Sequence, residues 1–417
     1  MNETRYYKYY FFLLVILCTW FSTIVAPPMP IRLVYLVALI IPAYLYAPNL
    51  LVPVLACFTS VAAYGFSCSY MPTELHYYLI IMFPLLGFGL QKKMNTQRPS
   101  VLFTCFCLYV LCIDLLKGGK LENIDYSILV VLISFFFVSK DGHEESSYIL
   151  SFIMVSLIIC LYFFTYGQGG TVEVSEDGRT AWKDSNYLGN VCGMGIVLAY
   201  NVLVNNLYTN KKFKYLCLLT VIVGVIMIVL NASRGAFLSM TVAITIITLF
   251  ARIKTSSKFG IVIAVSLSVV TMYSLGLFEV LEERVMSDDG TGNARTIIWA
   301  AKLDAYSQLS LLEKVFGSGY RRGFELAIPG GFGFHSDYIA WLVDYGIVGL
   351  LFFISLLIYP LKLVWDRQSQ RPIVLSLILF LATCCSTLEP LTAGRLAYWY
   401  FYMLIVLFAR WSSQQTN

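Results

Sequence analysis

From about residue 9 to residue 410 the chain keeps returning to apolar runs of roughly bilayer length, broken by short polar connections. A helix needs about 20 mostly apolar residues to cross the hydrocarbon core. Fourteen candidate spans fall near 9–26, 33–47, 49–66, 75–91, 100–116, 125–139, 148–166, 186–206, 215–231, 235–250, 260–277, 337–360, 373–388 and 396–410. In lipid each spanning segment must satisfy its own backbone polar groups, and for isolated runs of this kind that means a helix. Charged residues supply only 13% of the 417 positions and hydrophobic ones 59%, against roughly 25% charged in an average soluble domain. The expectation is an all-α, polytopic integral membrane protein of about 12–14 transmembrane helices. Either fourteen spans or twelve with a re-entrant pair satisfies the pattern. Residues 1–417 form one membrane domain, because no stretch outside 278–334 is long enough for a separate soluble one.

Basic clusters at Lys92/Lys93/Arg98, Lys211/Lys212/Lys214, Arg252/Lys254/Lys258 and Lys362/Arg367/Arg371 occupy alternate connections. Cytoplasmic loops carry such an excess, so this pattern puts both termini inside. The first apolar run follows Arg5 and Lys8 without a small-x-small cleavage site, which reads as a retained helix. Basic residues beside spans are expected on topological grounds, so the net charge of +5 implies no nucleic-acid partner. Of eleven cysteines, Cys105, Cys107, Cys112, Cys160, Cys192, Cys217, Cys384 and Cys385 lie in or beside apolar runs and read as buried small hydrophobes.

Two connections assigned to the outer side, 167–185 and 278–334, are polar, glycine-bearing and much longer than a turn requires. Long external loops often carry function. Within the second, Ile297, Ile298, Ala301, Leu303 and Ala305 predict an amphipathic helix, making it a partly helical cap.

Arginine recurs at this outer face: Arg179 in the first loop, Arg234 in the tight "NASRGAF" connection, and Arg295, Arg321 and Arg322 in the second loop. Guanidinium groups bind phosphate through paired hydrogen bonds and stay charged, so several converging on one cavity suit a pyrophosphate. Pairing with a nearby acid is the competing reading, since 278–334 holds eight acidic residues and six basic ones. Arg234 stands apart, because a charge in a very short hairpin between apolar helices is expensive without a purpose. His335 follows a glycine-rich approach and precedes Ser336 and Asp337, either of which can cap the helix starting there. An imidazole titrating near neutrality can take a proton from a sugar hydroxyl, although a polar interfacial histidine fits the sequence too. Asp337 is a candidate to orient it. Asp344, two turns further on, must face the protein interior and have a partner, and Gly346 and Gly349 fit close helix packing. The chain has no phosphate loop, no cysteine–histidine metal spacing and no nucleophile elbow, and Asp288-Asp289-Gly290 reads as a turn. Neither a metal, another cofactor nor nucleotide hydrolysis is expected.

Taken together, "NASRGAFLSM", "ARTIIWAAKL…EKVFGSGY" and "FHSDYIAWLVDYGIVGLLFF" resemble the bacterial O-antigen ligase and polysaccharide polymerase (Wzy) superfamily over roughly residues 170–360. Ser336 stands where that family often has asparagine after the histidine. The resemblance implies a GT-C-like membrane fold and an inverting, metal-independent glycosyl transfer at the periplasmic face of the inner membrane. It also implies a donor and an acceptor linked to undecaprenyl pyrophosphate. By the same resemblance His335 activates the acceptor hydroxyl, while Arg234, Arg295, Arg179 and Arg322 engage pyrophosphate. Arg322 lies eleven positions before Gly333, like the spaced arginine–glycine motif of polymerase loops, whereas Arg179 lies ten before Gly189. That spacing and "DSNYLG" (184–189) favour a polymerase, with a chain-length regulator as a partner, over a ligase that moves glycan to lipid A-core. A lipid-linked glycan flippase is the reading from another class, and it would place its charges near mid-membrane rather than at one face.

Overall fold

The computed structural model describes residues 97–321 and 334–414, apart from 139, 141–144, 167–172, 175–179, 182–184, 231–232, 252, 275 and 277–294. The candidate spans before residue 97 lie outside the described residues, and helices fall on all ten of the later ones. Helix α1 (Val101–Gly118) opens where Ser100 Oγ accepts the Phe103 N–H at 3.1 Å. It closes at Gly119, whose φ of 67° lets its N–H reach back to the Leu115 carbonyl. Helix α2 (Asn123–Ser134) starts with a reciprocal cap between Glu122 and Asp125 and runs into a 3-10 turn at Phe135–Phe137. Then come α3 (Glu145–Tyr166), a two-residue antiparallel ladder of β1 (Glu173–Val174) and β2 (Thr180–Ala181), α4 (Ser185–Val204), α5 (Lys211–Leu230), α6 (Arg234–Phe250) and α7 (Thr255–Ser274). The segment between α7 and residue 337 contributes α8 (Arg295–Gln308) and α9 (Leu311–Phe316), followed by α10 (Asp337–Leu363), α11 (Arg371–Thr387) and α12 (Leu396–Gln414). Apart from the short ladder, the regular elements among the described residues are helices.

Three of these helices, α1, α5 and α10, are long and apolar enough to cross a membrane, with mean hydropathies of 2.0, 2.6 and 2.2. Their apolar residues follow the two solvents such a protein meets. Helix α12 is apolar on every side and accordingly central: from Leu396 to Ala409 no residue is more than 4% exposed. Around it Phe106 packs on Trp341 with ring centroids 5.1 Å apart, and Trp341 stacks on Phe353 at 5.7 Å. Outward, by contrast, α1 presents Val101, Leu108 and Leu115, α5 presents Leu218, Leu219 and Ile222, and α7 presents Phe259, Ile263, Leu267 and Val270. Stripes of this length belong against lipid. They also account for two exceptions among the cysteines. Cys105 and Cys112 are exposed because they fall at helical spacing within the α1 stripe, while Cys107, Cys160, Cys192, Cys217, Cys384 and Cys385 are buried as expected.

Gly346 has a different role from the helix packing expected of it. Its φ of 67° interrupts α10, and a Cβ there would lie 2.4 Å from the Val315 carbonyl oxygen and 2.6 Å from the Gly317 nitrogen. The kink exists to let α10 touch the turn that follows α9, where Gly317 (φ 91°) in turn abuts the Asp344 carbonyl. Gly346→Ala should therefore destabilise the protein by about 3 kcal/mol, from the left-handed backbone and the clash together. Thermal unfolding in detergent measures this, and an unchanged midpoint would mean that the kink tolerates a side chain.

Candidate functional site

The site is built where the start of α10 meets the connection between α11 and α12. Neither Ser336 nor Asp337 caps α10 with its side chain, contrary to expectation. The Asp337 carboxylate points to the neighbouring connection and accepts from the Leu391 N–H (3.1 Å), the Thr392 N–H (2.8 Å) and the Thr392 hydroxyl (2.7 Å). The Asp337 N–H returns a bond to the Leu388 carbonyl at 2.9 Å. Asp337 is fully buried and spent on these donors, so it organises the turn rather than the imidazole. Truncating it strands two buried N–H groups. Asp337→Ala should cost about 3 kcal/mol, and Asp337→Asn, which keeps one acceptor, less than half of that. Unfolding midpoints of the two purified variants test this ranking, and equal losses would contradict it.

Within that turn, Glu389 Oε2 accepts the backbone N–H of Phe334 and, at 3.0 Å, that of His335. His335 has φ 51°, a left-handed conformation costing a residue with a side chain about 1–2 kcal/mol. Its ring is partly buried, and that burial draws its pKa below the ordinary value near 6.5, with the Arg295 guanidinium adding in the same direction. The imidazole is therefore neutral at physiological pH, the form that can accept a proton. For Glu389, burial and the nearby Asp337 charge push the carboxyl up to about 7 against the two N–H donors and Arg321, which pull it down.

Arg295 comes to this place as the first residue of α8, which lies over the α10 start. The helix forms as predicted, but only part of its expected apolar face turns inward. Ile297 and Leu303 are exposed, and the buried pair is Ile298 and Lys302. Trp299 Nε1 donates to the Phe334 carbonyl at 2.9 Å, and the Lys302 ammonium sits 4.9 Å from the Phe334 ring centroid. Burial draws the Lys302 pKa down while the Asp344 and Glu389 charges oppose it. A lysine on the inward face is tolerable because its stem packs and its charge meets carboxylates.

Arg234 is the first residue of α6. A Cβ at Gly235 would lie 2.9 Å from Thr387 Oγ1, so the first turn of α6 packs directly on the end of α11, two residues before Glu389. On its other side a Cβ at Gly189 would meet Ser233 at 2.7 Å, and Ser233 Oγ donates to Asn186 Oδ1 at 3.4 Å. The starts of α4, α6 and α10 and the end of α11 thus share one end of the bundle, with α8 above α10. Helix starts carry partial positive charge, so arginines there add to a field that already favours an anion. Arg179 and Arg322 lie outside the described residues.

Asp344 does face the interior: its Oδ2 accepts the Arg321 N–H at 3.0 Å, and its carbonyl accepts from Ser318 and Gly319. Asp114 Oδ1 takes the Tyr320 N–H at 2.9 Å, and Tyr345 donates its hydroxyl to Asp114 Oδ2. Two buried acids thereby fix the turn at Tyr320 and Arg321. Residues 219–354 match the family model described as O-antigen ligase. That segment is similar to the O-antigen ligase family. It contains Arg234, Arg295, Arg322, His335 and Asp337, while Arg179 and Glu389 fall outside it. No curated protein matches the chain. Glu389, which bonds His335, and Trp299 and Lys302, which contact the adjacent Phe334, are the residues of this place that sequence reasoning missed. Glu389 had a signal: it is the acid in a short connection between two apolar helices, the same argument that singled out Arg234.

Proposed function

We propose that the protein is an O-antigen polymerase of the inner membrane, joining undecaprenyl-pyrophosphate-linked repeat units at the periplasmic face. His335 takes the proton from the acceptor sugar hydroxyl. The freed oxygen attacks the anomeric carbon of the donor glycan opposite the pyrophosphate, the bond to that pyrophosphate breaks, and the electron pair leaves with it. Arg295 and Arg234, with Arg179 and Arg322, receive the growing negative charge, which is the electrostatic part of the catalysis. Single displacement inverts the anomeric centre. Pyrophosphate is already a good leaving group, so the step asks for no nucleotide. What supports the reading is a partly buried imidazole on a turn that Glu389 holds, with the Arg295 charge near enough to act on it.

The match to a family described as O-antigen ligase favours a second reading, transfer of finished glycan to lipid A-core. The arginine–glycine spacing and "DSNYLG" support the polymerase. A deletion strain separates them: single repeats on each core mean a polymerase was lost, and long chains left on the carrier mean a ligase was. Purified protein incubated with lipid-linked repeat in detergent should give a ladder of longer glycans. A product formed only when lipid A-core is supplied would replace the polymerase with the ligase, and no product with either acceptor would reject both.

A further inference from the structure

A histidine with φ 51° needs something outside itself to hold it there. Among the described residues, three attachments reach the Phe334–His335 segment: the Trp299 indole N–H on the Phe334 carbonyl, the Lys302 ammonium over the Phe334 ring, and the Glu389 carboxylate. Of these, only the Glu389 bond reaches residue 335 itself. One oxygen accepts the N–H groups of two successive residues. A left-handed residue helps turn successive N–H groups toward one acceptor, so the Glu389 oxygen and the positive φ of His335 support each other. Glu389 is in turn held from both sides. Asp337 fixes the turn just after it, and Leu388, just before it, is bonded to the Asp337 N–H.

We propose that Glu389 is the positioning residue for His335: its carboxylate oxygen, accepting the N–H groups of Phe334 and His335, holds the histidine in its left-handed conformation and so sets where the imidazole points. Because Thr387 lies against Gly235, the same turn joins the histidine to the Arg234 hairpin, so both ends of the reacting pair are referenced to one short connection. The catalytic consequence rests on the transfer reading above; the structural one does not.

The experiment compares wild type, Glu389→Gln and Glu389→Ala in detergent by two readouts. The first is the rate at which diethyl pyrocarbonate modifies His335, followed by peptide mass spectrometry. Glutamine keeps an acceptor oxygen and should leave this rate within about twofold, whereas alanine should raise it severalfold as the ring leaves its partly buried place. The second is glycan transfer. Misplacing a reacting group by about 1 Å costs on the order of 100-fold, so Glu389→Ala should lose about that much in kcat with donor KM unchanged. Glu389→Gln should stay within about fivefold. His335 labelling at the wild-type rate in Glu389→Ala overturns the proposal. Equal loss of kcat in the glutamine and alanine variants also overturns it, since the charge and not the acceptor would then matter. If labelling changes as expected while wild type transfers no glycan, Glu389 positions the histidine and it is the transfer reading that falls.

Discussion

His335→Ala should lower glycan transfer by about 1,000-fold, the upper middle of the range for removing a positioned general base. The loss should appear in kcat rather than in donor KM, because the imidazole meets the acceptor proton only as the new bond forms. A pH profile makes the test sharper. A base works when unprotonated, so kcat/KM falls as pH drops through its pKa. Burial and the Arg295 charge both disfavour the imidazolium and move that point down. The acid limb of the wild-type profile should therefore lie below the ordinary histidine value near 6.5, with full activity at pH 7. Residual activity in His335→Ala near the wild-type level would remove the histidine from the chemistry.

Arg295→Ala should cost about 100- to 1,000-fold in kcat, as expected when a preformed donor to a departing anion is removed. It carries a second consequence that a purely substrate-binding arginine would lack. Taking away a cation near His335 makes the imidazolium easier to form, so the acid limb should move up in pH relative to wild type. Arg295→Lys retains the charge and should leave the limb near its original place. Its kcat should stay low, because an ammonium cannot make the paired, planar contacts of a guanidinium. A low kcat with no movement of the acid limb in Arg295→Ala would separate the two residues in function.

Helix positions were the most legible part of the chain, since apolar runs bounded by charge have few other ways to satisfy their backbone in lipid. The same pattern could not give the orientation of α8. The apolar residues of α8 predicted Ile297, Ile298 and Leu303 on one inward face, yet only Ile298 of these is buried and Lys302 is buried with it, because the partners of Lys302 come from Phe334, Asp344 and Glu389, all distant in sequence. His335 and Arg295 were legible as types of residue in suggestive places, and the fold brings the charge of one onto the other. Glu389 and the true task of Asp337 depended on contacts more than 50 residues apart, which no local spacing encodes. Gly346 was read from its residue type alone, and only its backbone conformation shows that it breaks a helix.

The stereochemistry of the bond formed tests the central claim most directly. Purified protein would be given a lipid-pyrophosphate-linked repeat of known anomeric configuration, and the linkage in the product assigned by NMR. Direct attack by an acceptor hydroxyl deprotonated by His335 predicts a single product with the opposite configuration, its formation lost in His335→Ala. A product that retains the donor configuration would mean a covalent glycosyl-enzyme intermediate and contradict the account.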